Sequence, residues 1–273
     1  MSDGSRAQPI GIFDSGMGGL TVLKALIARL PHEHFVYLGD TARLPYGTKS
    51  ADTVTRYAVQ AASLLAKRHV KLVVVACNTA SAVAMPALAS ALAPVPSLGV
   101  IEPGAQAALA AAPKGPIAVI ATEGTVKGGA YARAIHAIAP EVLVVQQACP
   151  LFVPLAEEGL IEGSIADLAA QRYLAPLVSD ARPQCLVLGC THFPVLKKTI
   201  AQAVGSEVRL VDSAEVTAGA VAQMLESAKL ANDDAAPPPN QFLVTDAPDR
   251  FARVGEIFLG APIAANTVEL VDL

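Results

Sequence analysis

The sequence predicts an α/β protein of two similar units, each a mostly parallel sheet covered by helices. Three observations carry that prediction. Short runs of aliphatic and β-branched residues alternate with longer, alanine-rich segments of helical character. The runs are apolar throughout, as strands are when both faces of their sheet are covered. The polar residues that end the runs come in matching order in the two halves of the chain.

Taken in order, the predicted strands are 10–13, 35–38, 72–76, 117–121, 142–145, 186–188 and 208–211. Predicted helices cover 21–30, 52–69, 131–138, 165–178, 195–204 and 214–229. Apolar strands joined by helices build parallel sheets. In open sheets of this kind the ligand sits beyond the carboxyl ends of the strands. The first three strands end at Asp14-Ser15-Gly16, Gly39-Asp40-Thr41 and Cys77-Asn78-Thr79. The second set ends at Thr122-Glu123-Gly124, Cys149-Pro150 and Cys190-Thr191-His192. The separations Asp14–Asp40 and Thr122–Cys149 nearly agree, and so do Asp40–Cys77 and Cys149–Cys190. Two similar units follow, each with a cysteine at the end of its third strand. Their boundary falls near "APVPSLGVIEPGA", where prolines and glycines cluster. A Pro- and Asp-rich loop, "ANDDAAPPPN", precedes "QFLVTD" and a last helix at 249–259, which read as an addition to one of the units.

Composition narrows the function. The 273 residues are 53% hydrophobic and 16% charged, with a net charge of −4. No basic block occurs, aromatics are 4% and tryptophan is absent, so nucleic acid is excluded as the main partner. Mean hydropathy is +0.46. Yet the uncharged stretch 72–101 holds Asn78, Thr79, Ser81 and three prolines, and reads as a buried strand, a turn and a short helix rather than a membrane span. The segment "MSDGSRAQPIGIFDSG" has no apolar signal-peptide core, so a cytoplasmic location and no membrane partner are expected. The four cysteines form no CxxC pair and are expected to be thiols.

"GIFDSGMGGLTVL" fails the dinucleotide fingerprint because Thr21 stands where a glycine or alanine is required. What remains is a tight turn whose free N–H groups suit a carboxylate. A turn alone explains Gly16, Gly18 and Gly19, but not Asp14 and Ser15 at the strand mouth. Buried cysteines are usually small hydrophobes, the reading given to Cys149 and Cys185. Cys77 and Cys190 differ: each ends a strand, has amide or hydroxyl neighbours and precedes a helix start, where thiolate is favoured. His192 can exchange a proton with Cys190, and Asp14 can do so beside Cys77. His32, His34, His69 and His136 read as solvated surface residues. Two thiols facing each other across a cleft suit proton removal from one face of a carbon and delivery to the other.

Four segments, "GIFDSGMGGLTVL", "YLGDTARLPYG", "VVACNTASA" and "LGCTHFPVL", resemble the signature motifs of bacterial glutamate racemases. They are similar, more loosely, to the wider group of cofactor-independent racemases that includes aspartate and hydantoin racemases. The resemblance implies two pseudo-symmetric domains about a pseudo-twofold axis, with the active site at the domain interface and with residues 1–98 plus 212–273 in the first domain and 99–211 in the second. It assigns the acid/base thiols to Cys77 and Cys190; on the chemistry of their neighbours, Asp14 is expected to assist Cys77 and His192 to assist Cys190. It implies substrate contacts from Asp14, Ser15, Tyr46, Gly47, Asn78, Thr79, Thr191 and His192, and further ones from Thr122, Thr125 and Glu157, with Glu158 competing for the last. The implied reaction interconverts L- and D-glutamate without pyridoxal phosphate, metal or other cofactor, and supplies D-glutamate for peptidoglycan. The expected assembly is a homodimer. An aspartate racemase, a non-catalytic amino-acid-binding protein and a thiol redox protein are the rival readings. The second leaves the paired cysteines unexplained, and the third lacks a CxxC.

Overall fold

The computed structural model describes residues 5–233 and 235–273. Asp234 of the predicted 231–240 loop, and residues 1–4 of the N-terminal stretch read for a signal peptide, lie outside the described residues. β1 (Ile10–Asp14) leads to α1 (Leu20–Arg29), β2 (Phe35–Gly39) to α2 (Ala51–Lys67), and β3 (Leu72–Val75) to α3 (Asn78–Val83), α4 (Met85–Leu92) and β4 (Ser97–Gly99). After α5 (Ile101–Ala111) come β5 (Ile117–Ala121), α6 (Glu123–Gly128), α7 (Ala130–Ile138), β6 (Val144–Ala148), α8 (Phe152–Glu157) and α9 (Ser164–Ala181). β7 (Cys185–Gly189), α10 (Lys197–Val204), β8 (Arg209–Asp212), α11 (Ser213–Ala228), β9 (Gln241–Val244), α12 (Pro248–Leu259) and β10 (Val268–Leu270) complete the chain.

The strands form two sheets, ordered β10-β9-β2-β1-β3-β4 and β6-β5-β7-β8, and every pairing is parallel. The run β2-β1-β3-β4 therefore recurs as β6-β5-β7-β8, with β3 and β7 in equivalent places. The C-terminal strands extend the first sheet past β2. All residues of β1, β2, β3, β5 and β7 are buried, which their apolar sequences demand of strands covered on both faces. One apolar cluster joins Leu23 and Leu26 of α1 and Leu225 of α11 to Leu186 and Leu188 of β7 and to Phe193 just beyond it. At about 1.5–3 kcal/mol for each buried aliphatic or aromatic side chain, this shared core holds the two sheets in one arrangement.

Three local departures have physical causes. β6 runs on through Gln146 and Gln147, beyond the predicted end at 145, because it is an edge strand and only half buried. α5 went unread because of Pro103 and Gly104, yet Pro103 lies in its first turn, where the missing N–H has no helical acceptor to lose. The stretch 72–101 holds two short helices and a further strand, with Pro86 again in a first turn. His34 corrects the surface reading: it is 7% exposed. Its carbonyl accepts the Ile10 N–H at the base of the sheet, and burial lowers the affinity of its ring for a proton.

Candidate active site

The carboxyl ends of the two sheets meet at the glycine-rich turn after β1. A Cβ on Gly18 would stand 2.5 Å from Thr191 Oγ1 and from His192 Cε1, so only glycine permits this approach. Thr21 Oγ1 donates to the Thr191 carbonyl at 2.9 Å, tying α1 to the loop after β7. The backbone N–H of Gly16 donates to Asp14 Oδ2 at 2.9 Å, and those of Ser15 and Gly19 also point at this carboxyl. These N–H groups of the turn thus serve the chain's own Asp14 carboxyl. Asp14 is wholly buried, and Oδ1 has no partner. Burial raises its pKa, against the lowering pull of His192 and the backbone donors.

Cys77 caps α3. Its Sγ accepts the Ala80 N–H at 3.5 Å and donates to Ser15 Oγ at 3.6 Å. The helix start was expected to favour thiolate. Instead burial, reinforced by the neighbouring Asp14, pushes this thiol up to about 12, outweighing the Ala80 N–H and Ser15. Desolvation in an apolar wall is the stronger effect here.

Cys190 follows β7 and faces a different chain of groups. His192 Nδ1 lies 3.9 Å from its Sγ, and His192 Nε2 lies 3.1 Å from Glu157 Oε1. Glu157 Oε2 in turn accepts from Arg250 Nη2 of α12 at 3.1 Å. Burial lowers the pKa of His192, but its bonds to Cys190 and Glu157 outweigh burial and raise it to about 10. Burial likewise raises Glu157, and the His192 and Arg250 partners bring it below its ordinary value. Glu158 is exposed, and it is Glu157 that faces His192.

Between the thiols lies a cavity of about 150 Å³. Ser15, Tyr46, Gly47, Cys77, Asn78, Thr79, Thr122, Cys190, Thr191 and His192, all named in the sequence analysis, line it. Thr125, Asp14 and Glu157 stand one layer back. The hydroxyls of Thr79 and Thr122 are 3.0 Å apart, those of Thr79 and Thr125 3.3 Å, and those of Thr122 and Thr125 3.1 Å. This cluster joins α3 of one unit to α6 of the other. Tyr46 presents its ring, while its hydroxyl donates to Asp40, which also accepts from Arg43 Nε at 2.7 Å. Cys149 and Cys185 are fully buried, as the small-hydrophobe reading requires. Sequence reasoning missed Pro45, Glu123, Val153 and Pro154 in the wall, and Arg250 behind it. Nothing in the motif around Arg250 marks it, because its partner comes from a distant segment. Among the described residues, no group of three or more His, Cys, Asp or Glu could hold a metal ion.

Paired thiols at equivalent strand ends, one beside a carboxyl and the other beside an imidazole, enclose a space sized for an amino acid. That arrangement defines an enzyme of the proton-transferring isomerase class. The chain belongs to the Asp/Glu/Hydantoin racemase family, whose model matches residues 17–221. A glutamate racemase of Geobacter metallireducens is 54% identical over 254 residues, 93% of each chain. One from Neisseria meningitidis is 46% identical over the whole of both chains. The crystal structure of Francisella tularensis glutamate racemase in complex with D-glutamate matches with a TM-score of 0.90, at 39% identity and 98% coverage of each chain.

Proposed function

We propose that this chain interconverts L- and D-glutamate by passing protons between Cys77, Cys190 and the α-carbon. What carries the reading is that both sulfurs, each 5% exposed, line one small cavity from the third strands of matched sheets. The names and full-length similarity of the relatives support glutamate over aspartate.

The α-proton of an amino acid is a very weak acid, so carbanion charge must be met by fixed donors in a site sheltered from water. Ser15, Asn78, Thr79 and Thr191 supply amide and hydroxyl donors along the wall. The thiols must enter the reaction in opposite protonation states. Cys77, held near 12 by burial and Asp14, arrives protonated and serves as the acid. Cys190 lies beside the imidazolium that Glu157 stabilises, and serves as the base. The α-proton passes to Cys190 while the Cys77 proton adds to the opposite face; the reverse reaction exchanges these roles.

The division into residues 1–98 plus 212–273 and 99–211 draws support from β9 and β10 in the first sheet, while its bounds cut β4 before Gly99 and β8 before Asp212. A cytoplasmic enzyme supplying D-glutamate for peptidoglycan follows from the same reading. No helix among the described residues is long and apolar enough to cross a membrane. A homodimer accords with exposed Ile165 and Leu168 on α9, at 56% and 66%. The test is turnover of each purified L- and D-amino acid, followed by chiral chromatography. Glutamate should convert in both directions, with aspartate much slower. No turnover of glutamate, or a preference for aspartate, overturns the reading.

A further inference from the structure

Asn78 lines the cavity from the first unit, but its amide is held from the second. Tyr131 of α7 donates its hydroxyl to Asn78 Oδ1 at 2.7 Å. Asn78 Nδ2 is buried and has no hydrogen-bond partner. A buried, unpaired amide donor is costly and asks for an acceptor. The Tyr131 side chain is itself wholly buried between two glycines. A Cβ on Gly104 would stand 3.0 Å from ring atom Cε1, and a Cβ on Gly189 3.0 Å from Cε2. Both edges of the ring are therefore gripped by backbone, and the hydroxyl has one position. Burial raises the Tyr131 pKa, so the phenol keeps the proton that it donates.

We propose that Tyr131 is a positioning residue for racemisation, fixing the Asn78 amide so that Nδ2 is presented to a carboxylate oxygen of the substrate. The proposal rests on the amino-acid racemase reading above. An amide whose oxygen is held by a neutral phenol cannot turn that oxygen toward the substrate, where it would repel a carboxylate. The contact also crosses between the units. Asn78 is aligned only when α7 is docked against α3, so substrate recognition by one unit depends on the other.

The experiment measures glutamate racemisation by the full chain as wild type, Tyr131→Phe, Asn78→Ala, Asn78→Asp and the double variant Tyr131→Phe/Asn78→Ala. Tyr131→Phe leaves the ring in its slot and should lower kcat/KM about tenfold, the scale of one lost positioning hydrogen bond. Asn78→Ala and Asn78→Asp should each cost at least as much, since both remove the Nδ2 donor. The double variant should be no worse than Asn78→Ala, because Tyr131 acts through the amide and the two effects cannot multiply. Wild-type kcat/KM in Tyr131→Phe or Asn78→Asp, or fully multiplicative losses in the double variant, overturns the positioning role. The Asn78→Asp arm decides even where Tyr131→Phe fails to accumulate. Absence of turnover in the wild type strikes the functional reading instead, and so is distinguishable from failure of this proposal.

Discussion

Cys77 and Cys190 occupy equivalent places in two sheets of the same strand order, yet their neighbours are opposite in charge. Around Cys77 stand a wholly buried carboxyl, Asp14, and the Ser15 hydroxyl. Around Cys190 stand His192, Glu157 and, through Glu157, Arg250. Shared topology thus supplies the placement of two sulfurs, and local residues supply the difference between their surroundings, which under the proposed mechanism separates acid from base.

The largest break in the comparison is removal of either sulfur. Cys77→Ala and Cys190→Ala should each lower racemisation by about 10⁴-fold, since each removes an acid/base partner outright; polarimetry checks this. Next, His192→Asn deletes the cation that lies beside Cys190 and also pulls on Asp14. It should cost about 10²-fold in kcat. In the wild type the imidazolium is lost as pH rises past about 10, so kcat/KM should fall above that pH. In His192→Asn that fall should disappear or move. A smaller effect is expected for Arg250→Ala. The Arg250 side chain is 38% exposed, and loss of its pair with Glu157 should change kcat/KM about threefold, with Arg250→Lys in between. Cys185→Ala, remote from the cavity, should leave kcat/KM unchanged.

Stability sharpens the same contrast. The folded Cys77 thiol titrates near 12 against 9.0 for the ordinary group. Between those values the folded state binds more protons than the unfolded one, so stability falls as pH rises through this window. Urea unfolding at intervals from neutral pH to about pH 11 should show that loss, and Cys77→Ala should lessen it. An unchanged slope in the variant contradicts the assignment.

Much of this was legible in the sequence because parallel sheets write themselves as unbroken apolar runs. The third-strand cysteines stood out because polar residues end such runs abruptly. The Gly18 approach was not legible: a glycine-rich turn looks the same whether it cradles a ligand or admits Thr191 and His192. The behaviour of Cys77 was also hidden. A helix start argues for thiolate, and only the depth of burial, a tertiary property, reverses the argument. Arg250 and Tyr131 bond to residues far away in the chain, so no local motif could reveal them. His34 misled because a polar residue before a strand reads as surface, although the sheet base covers it.

The most direct measurement is the fate of the α-hydrogen when L-glutamate is turned over in deuterium oxide. Transfer through two separate sulfurs predicts that the first D-glutamate formed carries solvent deuterium at the α-carbon, while unreacted L-glutamate stays unlabelled. D-glutamate that keeps the original hydrogen, or equal early labelling of both enantiomers, would mean that one group serves both faces, and would contradict the account.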